Sequence, residues 1–426
     1  MTEQDKDRLY EGCYGRRCSP SEVQAWVLRN LEANIARYDS GIPRSTLNIW
    51  GVPGCSKTSI VKQLASRKVA FGESEKEIQV IDIPLAQIEE MGDVLGYPVE
   101  EIQLRRWNGE RPADAETSCE HKWVKAVDSV IRSHLDSGWE LTDSKRTTYA
   151  PPSWAPVEEC PGVILFDDGN RASQRIMKGL MQLVQDYRTI SWSIPRGWTI
   201  CFTGNPDNRL NQVTSMDTAQ LTRMRHITLE FNAREWAVWA QGQGIDQRGI
   251  NFMLRYPEMA IGGMRTNPRS LTEFFLSLPF YPNLQDEQQL HDCMVDACAS
   301  IDEETANVFA TFAMRDGELV VSPEVILRDP DKAEILTLEL LNRNEPRIDL
   351  VSVTMDRLVA YIMSPKYEMA SHDAENFQRW FLLEKLPKDM VYASLNTLAN
   401  SRCVHVRKLL ANKRILEMGR DMLCRE

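Results

Sequence analysis

Leu47-Asn48-Ile49-Trp50-Gly51-Val52-Pro53-Gly54-Cys55-Ser56-Lys57-Thr58-Ser59-Ile60-Val61 reads as a strand, a Gly/Pro loop and a helix start in immediate succession. Leu47, Ile49 and Trp50 make a short apolar run suited to a buried strand, and apolar residues recur at helical spacing after Lys57. The loop follows the phosphate-binding spacing, with Ser56 standing where glycine is usual. Gly51, Pro53, Gly54, Cys55, Ser56, Lys57, Thr58 and Ser59 are therefore the candidate cradle. Backbone N–H groups would point at phosphates, Lys57 would add a point charge, and the Thr58 hydroxyl would hold Mg²⁺. A Cβ at position 56 must fit where glycine would have none.

Composition sets outer limits. The chain has 426 residues, enough for two or three domains with buried cores. A net charge of −11 gives no basic field for nucleic acid or an anionic membrane, so neither is an expected partner. No run of 18 apolar residues occurs and the first residues are polar, which predicts neither a span nor a secretory signal and a cytoplasmic location. Ten cysteines lie scattered without a C-x-x-C pair, the usage of a reducing compartment. Cys13 with Cys18, and Cys119 with His121, lack the further ligands a zinc site needs. Cys55 carries a separate expectation. Beside Lys57 and a helix start its thiol would be acidified and oxidisable, set against the plainer reading of a filler residue.

In chain order, residues 1–18 are expected to be mobile. Ser19-Pro20-Ser21-Glu22 forms a capping box with proline at the first helical position. The helix that follows presents Val23, Trp26, Val27, Leu31 and Ile35 as one stripe broken by Asn30. Ile78–Ile83 reads as a second strand. From 100 to 160 the pattern weakens, and an insertion is expected there, with a helical run near His121–His134 and a proline-rich loop at 149–156.

Gly162-Val163-Ile164-Leu165-Phe166-Asp167-Asp168 is the second landmark, a buried strand with two carboxylates at its C-terminal end, where parallel sheets collect ligands. Asp167 is placed for Mg²⁺, and Asp168 for orienting or deprotonating an attacking water. Tyr187–Ile194 alternates as a hairpin arm would. Trp198–Thr203 is a further strand, ending in Gly204-Asn205-Pro206. The Asn205 amide belongs on the same sheet edge as Asp167.

Together these motifs resemble AAA+ ATPases of the MoxR type: Gly51-x-Pro53-Gly54-x-Ser56-Lys57-Thr58, then Asp82-Ile83-x-Leu85-Ala86-Gln87, then Phe166-Asp167-Asp168-Gly169-Asn170-Arg171-Ala172, then Thr203-Gly204-Asn205-Pro206. The resemblance runs from about Ser19 to Leu271. It implies an α/β P-loop core with a parallel sheet over 19–231 and an all-helical lid over 232–300, and the leucine-bearing runs further on predict a helical C-terminal extension over 301–426. It also implies ATP and Mg²⁺ as cofactors, with Thr58 and Asp167 on the metal.

By the same resemblance Asn205 is the first sensor and Asp168 takes the place of the catalytic glutamate, one methylene short. Arg223 matches the arginine finger, with Arg225 as its neighbour, and Arg269 the second sensor. The implied assembly is a homo-hexameric ring that remodels or matures a protein client, with a von Willebrand factor A domain protein as a frequent family partner. The insertion and proline loop resemble members carried by tailed phages, which would place the protein in host cytoplasm. Two other readings stay open: a nucleotide-gated scaffold with little hydrolysis, motivated by Asp168, and a nucleic-acid-dependent motor.

Among C-terminal helices, runs at 334–341, 351–363, 377–386 and 392–398 are expected. The basic, apolar stretch 407–416 reads as a terminal amphipathic helix.

Overall fold

The computed structural model describes residues 7–107, 119–206, 213–261, 263–315, 320–364, 367–401 and 403–415. A two-residue strand β1 (Arg17–Cys18) precedes α1 (Pro20–Asp39), which starts with the reciprocal Ser19/Glu22 capping box. Then come β2 (Thr46–Trp50), α2 (Lys57–Lys62), the β3 (Lys68–Phe71) and β4 (Ser74–Glu77) ribbon, β5 (Gln79–Pro84) and α3 (Gly92–Leu95). The insertion holds β6 (Tyr97–Trp107), β7 (Cys119–Lys125), α4 (Asp128–Leu135) and β8 (Glu140–Ala150). The core closes with β9 (Gly162–Asp167), α5 (Gln174–Asp186), β10 (Trp198–Gly204), α6 (Thr218–Leu221) and β11 (Met224–Leu229).

The main sheet is parallel throughout, in the order β1-β11-β2-β10-β9-β5. Its central strands are buried on both faces, which β9 displays as the unbroken apolar run Val163–Phe166 while β2 and β10 also bury Asn48, Thr199 and Thr203. Val23, Val27 and Leu31 of α1 cover one face, and Ile176, Leu180 and Leu183 of α5 the other. Register decides the site. Trp50 lies opposite Gly204 and Phe166 opposite Phe202, so the loops after β2, β9 and β10 leave the same edge together.

Helices α7 (Ala233–Gln243), α8 (Gln247–Arg255), α9 (Pro268–Ser277), α10 (Glu287–Ser300) and α11 (Glu303–Arg315) share one aromatic core around Phe252, Phe274, Phe275, Phe309 and Phe312. The helical unit therefore continues past residue 300, through α11. Trp236 belongs to this core, whereas Trp239 is 38% exposed. A second cluster gathers α12 (Pro323–Arg328), α13 (Pro330–Leu341), α14 (Ile348–Met363), α15 (Asp373–Phe381), α16 (Lys388–Ala399) and α17 (Val406–Leu409) around Leu350, Leu358, Phe377 and Trp380. The expected terminal helix is interrupted: α17 ends at Leu409, helix resumes over 413–415, and position 416 lies outside the described residues. The expected fold class, a P-loop α/β core with a helical lid and extension, is the one found.

Several expectations are corrected. Residues 7–18 are packed on the core: Tyr10 is buried and Arg17–Cys18 pair with Thr228–Leu229, an edge strand too short to leave a periodic signal. The insertion is a three-stranded antiparallel sheet in the order β7-β6-β8. The run from His121 enters as strand because Cys119–Lys125 pair residue for residue with β6, and helix begins only at Asp128. The proline loop turns inward, with Trp154 Nε1 donating to the Asp93 carbonyl (2.8 Å) and its ring edge-on to Phe166. Asn30 does not break a stripe: buried, it donates to the Ser45 carbonyl and to Thr199 Oγ1 beside Asn34. Tyr187–Ile194 forms a tight turn closed by one Arg188–Ser193 bridge.

Candidate nucleotide site

Ser56 adopts φ 70°, ψ 23°, which explains why glycine is usual at that place. Gly54 is also left-handed, and a Cβ on it would lie 2.2 Å from Asn267 Oδ1. The loop is thereby pressed against the residue that caps α9, where Asn267 accepts from the N–H groups of Arg269 and Ser270. Ser56 offers no side-chain cap to α2, so the first-turn N–H groups that lack helical partners face the cradle.

Lys57 is buried, and its ammonium donates to the carbonyls of Gly51 (2.8 Å) and Val52 (3.1 Å) and to Asn205 Oδ1 (2.9 Å). Asn205 Nδ2 donates in turn to Asp168 Oδ1 (2.8 Å). Beside this chain Thr58 Oγ1 donates to Asp167 Oδ1 (2.7 Å), and Thr203 Oγ1 donates to the same oxygen while accepting from the Asp168 N–H. The structure thus joins Lys57, Thr58, Asp167, Asp168 and Asn205 in one network. Hard oxygen donors, one carboxylate and one hydroxyl, fit a cation that keeps the rest of its shell for phosphate and water, as Mg²⁺ does. Among the described residues no cluster of three His, Cys, Asp or Glu could hold a metal by itself.

A cavity of about 410 Å³ opens beside the loop. It is lined by Cys55, Ser56 and Ser59 from the cradle, Phe231 and Trp236, and Arg269 at the start of α9. Arg269 is therefore placed at the loop. Arg223 is not: exposed, it donates to Gln185 Oε1 (2.9 Å) and the Ala219 carbonyl. Arg225 stacks over Trp26 and donates to Asn30. Cys55 contradicts the redox expectation, because burial pushes its thiol up and outweighs the opposing pull of Lys57.

Sequence reasoning missed Thr203, which links both carboxylates, and Glu235, whose carboxylate accepts from the Ser21 N–H (2.7 Å) and hydroxyl (2.9 Å) across the cavity mouth. Thr203 stood in the quoted Thr-Gly-Asn-Pro motif; Glu235 had no local signal. His226 was missed too. Its Nδ1 accepts from Trp50 Nε1 (3.0 Å) and its Nε2 donates to the Leu221 carbonyl (2.8 Å), tying the arginine segment to the strand before the loop.

Loop, carboxylate pair and sheet edge together define a P-loop nucleotide-binding core with a helical lid. No family model and no curated relative matches the chain. It is similar in structure to a RuvB variant of Thermotoga maritima at 12% identity and TM-score 0.32, over 79% of this chain and 91% of that one. A second RuvB variant of that organism gives 12% and 0.30, over 75% and 81%. A closed-state reconstruction of Hsp104 with ATPγS and casein gives 12% and 0.32, over 66% of this chain and 47% of that one. At these scores the likenesses carry no weight, and the class rests on strand order and loop geometry. No helix among the described residues is long and apolar enough to cross a membrane.

Proposed function

We propose that this chain is a MoxR-type AAA+ ATPase that hydrolyses Mg-ATP in a homo-hexameric ring and remodels a protein client or complex. The observation that carries the reading is the unbroken network from Lys57 through Asn205 to Asp168, with Thr58 and Asp167 alongside. With nucleotide bound, Lys57 exchanges an acceptor of the resting site for phosphate oxygen and offsets the charge there. Mg²⁺ held by Thr58 and Asp167 would neutralise charge on the phosphates. Asp168 takes the proton of the attacking water, which the Asn205 amide orients. Arg269 acts from the lid of the same subunit. Arg223, exposed and away from its own site, is presented to a neighbour's nucleotide. The partner bearing a von Willebrand factor A domain and the phage origin belong to the same resemblance, and the phage origin would place the protein in host cytoplasm.

Steady-state ATP hydrolysis against protein concentration tests this in the wild type, Lys57→Ala, Asp168→Asn and Arg223→Ala. The expected result is a rate that rises cooperatively with concentration and is lost in all three variants. A second reading, a nucleotide-gated scaffold, is favoured by the short Asp168, held at φ 51° with its oxygen engaged by Asn205. ATP binding without hydrolysis at any concentration would move the conclusion to it. Stimulation of hydrolysis by DNA or RNA would favour the nucleic-acid motor, against a net charge of −11.

A further inference from the structure

We propose that Asn170 is a positioning residue that sets where the Asn205 amide stands, and through it the site's preference for a nucleoside triphosphate over the diphosphate. The proposal rests on the nucleotide reading of this site. Asn205 lies one residue beyond Gly204, the last β10 residue in register with β2, and precedes Pro206, which biases it to extended backbone. What fixes its main chain is the Asn170 carboxamide. Asn170 Oδ1 accepts from the Asn205 N–H (3.0 Å) and Asn170 Nδ2 donates to the Asn205 carbonyl (2.7 Å). One planar side chain so replaces the two ladder bonds that a neighbouring strand would supply, and both residues are 2% exposed.

Asn170 is itself held. It sits in the short turn Gly169–Arg171 directly after the left-handed Asp168, and its carbonyl accepts from the Thr214 N–H (2.7 Å). A Cβ on Gly169 would stand 2.9 Å from the Phe202 ring, so the turn lies against β10. A closed ring results. Asp168 runs through Gly169 to Asn170, Asn170 holds the main chain of Asn205, and the side chain of Asn205 returns to Asp168 (2.8 Å) while also meeting Lys57 (2.9 Å). The two groups that would meet the terminal phosphate and its attacking water keep a fixed separation because Asn170 spans them. Asparagine is suited to this, since aspartate lacks the donor and leucine lacks both groups.

The test measures Kd for ATP and for ADP, together with kcat and KM, in the wild type and Asn170→Ala. The expected result is ADP affinity within about threefold of wild type, a fall of roughly tenfold or more in the ATP-to-ADP affinity ratio with the KM for ATP raised in step, and a loss of comparable size in kcat. Should the alanine variant not fold, Asn170→Asp, which keeps the volume and the acceptor but loses the donor, carries the same comparison. An affinity ratio and kcat within twofold of wild type overturn the proposal. So does a parallel loss of ATP and ADP affinity, which marks general damage to the loop. A wild type that binds ATP without hydrolysing it removes the ATPase reading and leaves the affinity ratio as the test. A wild type with no preference for ATP over ADP overturns the positioning role itself.

Discussion

Ser56 shows what a single backbone angle does to a motif. A non-glycine residue in the left-handed region carries about 1–2 kcal/mol of strain. Ser56→Gly relieves that strain but frees the unfolded chain by about 0.5–1 kcal/mol, so stability is expected to rise by about 0–1.5 kcal/mol. Ser56→Val adds β-branching at the same angle and is expected to cost about 2 kcal/mol or more, read by denaturant unfolding. His226 supplies a pH dependence. Burial holds its pKa below the ordinary value, outweighing the Leu221 hydrogen bond, and its Nδ1 must stay unprotonated to accept from Trp50. The unfolded chain therefore takes up the proton first. The histidine's contribution to stability is complete above about pH 6.5 and is lost as pH falls through the folded value. Melting temperatures between pH 7.5 and 5.5 should decline in the wild type and decline less in His226→Gln.

At the scale of elements, the insertion is the clearest separable piece. Its first and last strands end side by side, with Tyr97 in register with Ala150, and Leu104 and Val124 are buried within it. Replacing residues 97–150 by a short Gly/Ser linker is expected to leave a folded core whose nucleotide affinity is within about threefold of wild type, measured by titration. The core strands were legible because burial on both faces writes an unbroken apolar run, as in Val163–Phe166. The insertion was not. Its strands are half exposed and carry charges on both faces, so partners distant in sequence decide their pairing. The same distinction separates the site residues. Lys57, Thr58, Asp167 and Asn205 follow fixed motifs on a shared edge, whereas Glu235 reaches Ser21 from 214 positions away in sequence, with no local pattern to announce it.

Across the whole molecule, the lid is joined to the C-terminal extension by buried polar contacts. Arg357 of α14 is 1% exposed, and its Nη1 donates to the Gln247 carbonyl and Asn251 Oδ1 of α8. Among the described residues, its Nε and Nη2 have no acceptor. Methionine fills similar space without those orphan donors, so Arg357→Met is expected to change stability by less than about 1.5 kcal/mol, and Arg357→Ala to cost about 2–5 kcal/mol, by calorimetry. Lid and extension should unfold together in the wild type, in a single transition.

Arg234 and Glu235, adjacent at the start of α7, reach in different directions. Arg234 pairs with Asp356 of the extension (3.0 Å), and Glu235 holds Ser21 of the core beside the cavity. Neighbouring side chains on a helix diverge by about 100°. The first turn of α7 is therefore a coupling shared by core and extension. A nucleotide whose phosphates repel the Glu235 carboxylate from Ser21 should turn α7 and weaken the Arg234–Asp356 pair. Faster hydrogen exchange around residues 352–356 on adding ATP is the expected sign, and unchanged exchange there would show that the two contacts are not coupled.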